Sequence, residues 1–174
     1  MSRNKFDSSF LFKFVLICLL LLLQSESLSL CYAELIDRVV AYVDDKAITC
    51  SEFMERYSKM KEVVPALTKE EAINSMVNTL LLLDQARKMK LEAASDDDLV
   101  REYVDIKIKS RIFIKEEVLM EYYNKNKEEF RGKDYIAVRE EIENYLTELA
   151  TNKKLKEHIE ELRHQSNIEI QLRD

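Results

Sequence analysis

Gly132 and Pro65 are the only glycine and the only proline in this chain of 174 residues. Sheet-rich domains rely on both residue types in their turns, and glycine is the usual choice where backbone turns sharply or approaches a ligand closely. A chain almost without either is expected to be mainly α. The first 33 residues stand apart from that expectation. Arg3 and Lys5 form a basic start, Phe14–Leu23 is an unbroken apolar run, and "CYA" (Cys31–Ala33) offers small residues at both cleavage-determining positions. This is the layout of a secretory signal peptide, and the run is too short for a comfortable membrane span. Cleavage is expected after Ala33, with Ser27, Ser29 or retention as a signal anchor as the alternatives. Leu30 is too large for the position before a lipidated cysteine. Residues 34–174 are then one exported domain.

Removing the net +1 of residues 1–33 from the formal −6 leaves −7 on residues 34–174, with both signs interspersed. A nucleic-acid binder needs a basic face, so that class is excluded. Cys18 and Cys31 fall in the leader, which leaves Cys50 with no internal disulfide partner. A buried small apolar side chain is the expected role.

"RVVAYVDDKAIT" (Arg38–Thr49) is the one clear β signal: Val39, Ala41 and Val43 alternate with Val40 and Tyr42, and Asp44–Lys46 makes a turn. Thr49-x-x-Glu52 and Thr68-x-x-Glu71 are capping boxes that start two helices. The first carries Phe53, Tyr57, Met60 and Val64 at helical spacing and ends at Pro65. The second runs to about Leu91 with a stripe of Ile73, Met76, Val77, Leu80 and Leu83. Its leucine run extends most of the way around, which predicts a central helix. Ser95 with Asp96–Asp98 opens a third helix, whose faces carry Leu99, Tyr103, Ile106 and Phe113 on one side and Val100, Val104 and Ile108 on another. A fourth, with Val118, Tyr122 and Leu119, runs to about Lys127. After Gly132 a long helix spans about Tyr135–Arg163, its apolar side carrying Val138, Ile142, Tyr145, Leu149, Ile159 and Leu162. "NIEIQL" (Asn167–Leu172) alternates again. Because an isolated hairpin is marginal, this C-terminal strand is expected to pair with the N-terminal hairpin and close the domain.

Catalytic chemistry finds no foothold. His158 and His164 are six apart on one helix, which puts them on opposite faces, and both are expected to face solvent. Asp96–Asp98 lacks the glycine and terminal glutamate of a calcium loop. No nucleophile elbow, phosphate loop or paired-cysteine motif is present, so no catalytic, metal or cofactor residue is assigned and no nucleotide is implied. Methionine and tyrosine suit surfaces that accept many partners. Met54, Tyr57, Tyr103 and Tyr123 are therefore the candidates for lining an open groove, with ordinary helix packing as the alternative.

The order of the parts carries more information than any one of them. "IDRVVAYVDDKAITCSEF" (Ile36–Phe53) resembles the opening of SurA-type chaperones and related parvulin-family export foldases. "INSMVNTLLLLDQARKMKL" (Ile73–Leu91) is similar to the family's long second helix. "EEVLMEYYNKNKEEF" (Glu116–Phe130) resembles the link that usually leads into a parvulin prolyl-isomerase domain. "VREEIENYLTELATNKKLKEHIEELRHQSNIEI" (Val138–Ile170) resembles the helix and strand that follow that domain. The isomerase domain would fall between Phe130 and Val138, where there is no room, so the family's catalytic residues have no positions here. The segment between Ser95 and Phe113 also looks shorter than the family's. The resemblance implies a SurA N-terminal-like helical domain that transiently holds unfolded secreted or outer-membrane polypeptides without isomerase activity. The alternative is an assembly subunit that uses the same helices on one fixed partner, or on itself as a homodimer by strand or helix exchange. A prolyl isomerase is the third reading, and the missing insert argues against it.

Overall fold

A computed structural model describes residues 37–172. The leader expected at residues 1–33 lies outside them. The chain is mainly helical, with one small sheet. In chain order it runs β1 (Val39–Val43), β2 (Lys46–Thr49), α1 (Cys50–Val63), α2 (Lys69–Lys88), α3 (Asp96–Lys107), a 3-10 turn (Lys109–Arg111), α4 (Glu116–Lys125), α5 (Tyr135–Gln165) and β3 (Ile168–Ile170). No helix among the described residues is long and apolar enough to cross a membrane.

The expected closure of the sheet is present. The strand order is β2-β1-β3, with β3 antiparallel to β1 and Ala41 opposite Ile170, Tyr42 opposite Glu169, Val43 opposite Ile168. Asp44 makes this junction. It takes a left-handed conformation (φ 53°) in the hairpin turn, which a short polar side chain tolerates better than most. Its N–H donates to the Asn167 carbonyl (2.9 Å), and its carboxylate accepts from the Asn167 N–H (2.8 Å). The simple alternation expected for β1 is broken by a register irregularity between Val39 and Ala41. One extra residue opposes the partner strand there, which puts Val40 and Ala41 both inside while Tyr42 faces out.

Thr49 and Thr68 cap their helices as the sequence predicts, and at Thr68 both halves of the capping box are made: its hydroxyl accepts from the Glu71 N–H (3.2 Å) while Glu71 accepts from the Thr68 N–H (2.9 Å). α2 is the central helix. Ala72, Ile73, Met76, Val77, Leu81, Leu82, Leu83 and Ala86 are all buried, too wide an arc for a helix contacted on one side only. It ends in a Schellman motif: Leu91 N–H donates to Ala86 C=O and Lys90 N–H to Arg87 C=O. Lys90 occupies the left-handed position (φ 57°) that glycine commonly fills. On α3, Leu99 and Tyr103 are buried as expected, but Ile106 is exposed, and Phe113, expected on the same helix, lies beyond its end and is 85% exposed. On α4 the buried residue is Leu119, and Val118 faces out.

Two separate apolar clusters result. The larger joins the sheet, α1, α2, α3 and the C-terminal half of α5 through Leu155, Ile159 and Leu162. The smaller consists of Leu119 on α4 with Val138 and Ile142 on α5, flanked by Ile114, Tyr122, Tyr123, Phe130, Tyr135 and Leu146. The 31-residue α5 belongs to both. Gly132 (φ 79°) and Arg131 (φ 51°) make the turn between α4 and α5, so the chain's one glycine sits where the sequence places it.

Candidate functional site

A large, mainly apolar opening in the surface lies where α1 ends. Val63 and Val64 immediately precede Pro65, whose ring forbids a further helical turn. The chain folds back instead, Leu67 N–H donating to Val64 C=O (3.0 Å) across a turn with proline at its second position. Tyr57 holds that turn: its ring stacks on buried Phe53 (centroids 5.7 Å apart, planes 8° apart) and its hydroxyl donates to the Leu67 carbonyl (3.3 Å). The last turn of α1 is left with no helical residue after it to cover its apolar side chains.

Met60, Val63, Val64 and Leu67 therefore line an open trough of about 720 Å³, closed on its far side by the start of α3 at Ser95, Asp96 and Asp97. Val63 is 82% exposed and Val64 49%. The rim is charged. Lys59 pairs with Glu55 (2.6 Å) and Arg56 reaches Asp97 (3.5 Å), Arg56 half-buried and the other three side chains largely in water. Such pairs contribute little stability, and they keep an apolar floor soluble without covering it.

A second, smaller hollow of about 400 Å³ lies on the α4–α5 side, between Tyr122, Phe130, Ile142 and Tyr145 with Glu129 and Glu141 at its edge. Its walls are aromatic: Tyr122 meets Phe130 edge-on (6.4 Å) and Tyr145 at a tilt (5.4 Å), while Tyr123 stacks on Phe130 (5.5 Å). Tyr123 donates its hydroxyl to the Lys133 carbonyl (2.8 Å). It braces the α4–α5 turn as Tyr57 braces the turn after α1.

The four candidate groove residues thus separate. Met54 is exposed (47%) on α1 but is not among the side chains lining the trough. Tyr57 and Tyr123 are half-buried, their hydroxyls tied to backbone carbonyls. Tyr103 is 1% exposed and part of the main core, so it lines no surface in this conformation. The reason lies in its partner. The Tyr103 hydroxyl meets His158 Nε2 at 2.7 Å, joining α3 to α5. His158, expected in solvent, is instead only 18% exposed in its side chain. Burial raises the Tyr103 pKa, so the phenol keeps its proton and shares one hydrogen bond with Nε2, while Nδ1 faces Glu161 at 3.7 Å. His164 is exposed as expected.

Sequence spacing could not have found the Tyr103–His158 pair, because its members lie 55 positions apart. Val63 and Val64 did carry a signal: two β-branched residues directly before the only proline must sit on a final helical turn.

Among the described residues, no three His, Cys, Asp or Glu side chains are gathered as a metal site would need. The strongest electrostatic perturbation is at the base of α4. Glu116 accepts from Arg139 through both carboxylate oxygens (2.7–3.2 Å) and from the Tyr135 hydroxyl, and Arg139 also reaches Glu143 (2.8 Å). The Arg139 bonds, then the Tyr135 bond, hold the Glu116 carboxyl below its usual range, and the same carboxylates raise Arg139. This clamp fastens α4 to α5; it has no reactive member. Comparison with protein-family models and with curated proteins finds no match to this chain.

Proposed function

We propose that this protein is an exported, periplasmic, chaperone-like binder of unfolded secreted or outer-membrane polypeptides, a SurA-type chaperone domain without its isomerase. It acts by binding alone. The observation that carries this reading is the trough at the end of α1. Val63 and Val64 stand exposed beside the half-buried Met60 and Leu67, inside a rim of mixed charge. An exposed apolar surface ringed by polar groups is the usual mark of a protein-binding face, and a floor of aliphatic side chains suits extended apolar segments of many sequences. The order of sequence motifs supports the same reading, as does the short turn at Gly132 where a catalytic insert would stand.

The direct test follows aggregation of a denatured outer-membrane polypeptide on dilution, with and without the protein. Suppression that is lost in a Val63→Asp, Val64→Asp variant of unchanged circular dichroism is the expected result. No suppression at stoichiometric excess would sink the proposal.

A second reading, an assembly subunit with one fixed partner or a homodimer, is favoured by Phe113 and Ile136, 85% and 89% exposed. Light scattering over a wide concentration range separates the two. A monomer throughout argues against self-association, and a concentration-dependent dimer supports it.

A further inference from the structure

The α4–α5 side is built unlike the rest of the molecule. Its fully buried apolar residues are Leu119, Val138 and Ile142, and these form a cluster of their own, separate from the main core. What closes α4 over α5 is otherwise at the surface. The Glu116–Arg139 pair is 49% and 41% exposed in its side chains, the Tyr123 bond to Lys133 C=O is exposed, and the turn carries two successive left-handed residues, Arg131 and Gly132. Exposed ion pairs and water-accessible hydrogen bonds are easily exchanged for bonds to water. Regions with few buried contacts and solvent-accessible bonds are those that open locally, at free energies well under that of global unfolding.

We propose that α4, the turn at residues 126–134 and residues 135–146 of α5 open as one unit, independently of the main core. In this opening α4 parts from α5. Closed, Leu119 of α4 is buried with Val138 and Ile142 of α5; open, all three reach solvent, an apolar surface absent from the closed protein. The C-terminal half of α5 stays in place, because Leu155, Ile159 and Leu162 belong to the other core and Arg163 is held by Asn74 and Asn78 of α2 (3.0 and 2.7 Å). The hinge then falls within α5 just before Thr151, whose hydroxyl donates to the Thr147 carbonyl (2.7 Å), a local bond that loosens and bends helices. This opening is independent of the client-binding reading, because it concerns the free protein.

Hydrogen exchange of the intact chain at low denaturant tests it. Amides of residues 116–146 are expected to exchange together and faster than those of Ala72–Ala86 in α2. Leu119→Ala should speed the first set by roughly thirtyfold or more, the range that loss of a buried leucine produces. Arg139→Gln should speed it about two- to fivefold, as loss of an exposed ion pair does. Both variants should leave α2 unchanged. Equal acceleration of α2, or one shared rate and denaturant dependence in the unsubstituted protein, would overturn the proposal. So would a Leu119→Ala chain that unfolds throughout, since that outcome makes the domain a single cooperative unit.

Discussion

The two apolar clusters reach closure by different means, and the difference shows what depth of burial does. The main core holds sixteen buried residues, eight of them on α2 and eight from the sheet and three other helices around it, and their side chains are excluded from water whether or not any polar contact holds. In the small cluster three residues are buried, and aromatic stacking plus a surface clamp of Glu116, Arg139 and Tyr135 does the rest. The first should resist changes of charge and pH and yield to loss of volume. The second should respond to both.

The largest expected effect is Ile73→Ala, which empties a site that is 0% exposed. It should cost about 2–5 kcal/mol and lower the urea midpoint for every probe, including the Tyr122 and Tyr123 signals of the distant lobe, because α5 loses its anchor. Next is His158→Ala, which leaves the buried Tyr103 hydroxyl without its partner. A cost of about 1–3 kcal/mol is expected, and Tyr103→Phe, which leaves the largely buried imidazole without its partner, should cost a similar amount. Chemical denaturation of both variants decides, and a loss under about 0.5 kcal/mol in either would show that the bond contributes little.

Lys90→Gly works in the opposite sense. At a left-handed C-terminal position glycine relieves backbone strain, and a gain of up to about 1 kcal/mol in the thermal or urea transition is expected. The smallest effect separates the clusters by pH. Hydrogen bonds from Arg139 and Tyr135 hold the Glu116 carboxyl below its ordinary 4.5. A carboxyl depressed in the folded state contributes stability above its unfolded pKa and loses it as pH falls through the folded value. Acidification below 4.5 should therefore loosen the Tyr123 and Tyr135 ring resonances, and Glu116→Gln should abolish that response while leaving α2 unaffected.

The helical class, the caps at Thr49, Thr68 and Ser95, the central place of α2 and the β1–β3 pairing were legible in the sequence because each rests on local chemistry or on period. The identity of the buried side chains on short helices was not. Val118 and Leu119 are adjacent on a ten-residue helix, and which one turns inward is set by α5. The site was legible only in part. Tyrosine was a reasonable candidate for a binding face, yet Tyr57, Tyr103 and Tyr123 each use their hydroxyl on a partner within the fold, and partners at long separation leave no periodic trace. The trough depends on Pro65 ending a helix directly after two valines, a pattern that in the sequence marks a helix boundary and says nothing by itself of function.

The pairing of β1 with β3 has a consequence for how the chain is made. β1 is translated early, but the strand that completes its sheet begins at Ile168, and the bonds from Asn167 to Asp44 join residues 123 positions apart. The sheet therefore stays unfinished until synthesis has passed β3, and long-range pairing of this kind is slow to form. A nascent chain that lacks β3 leaves one edge of β1 unpaired, an open strand edge that persists until the C-terminal segment arrives.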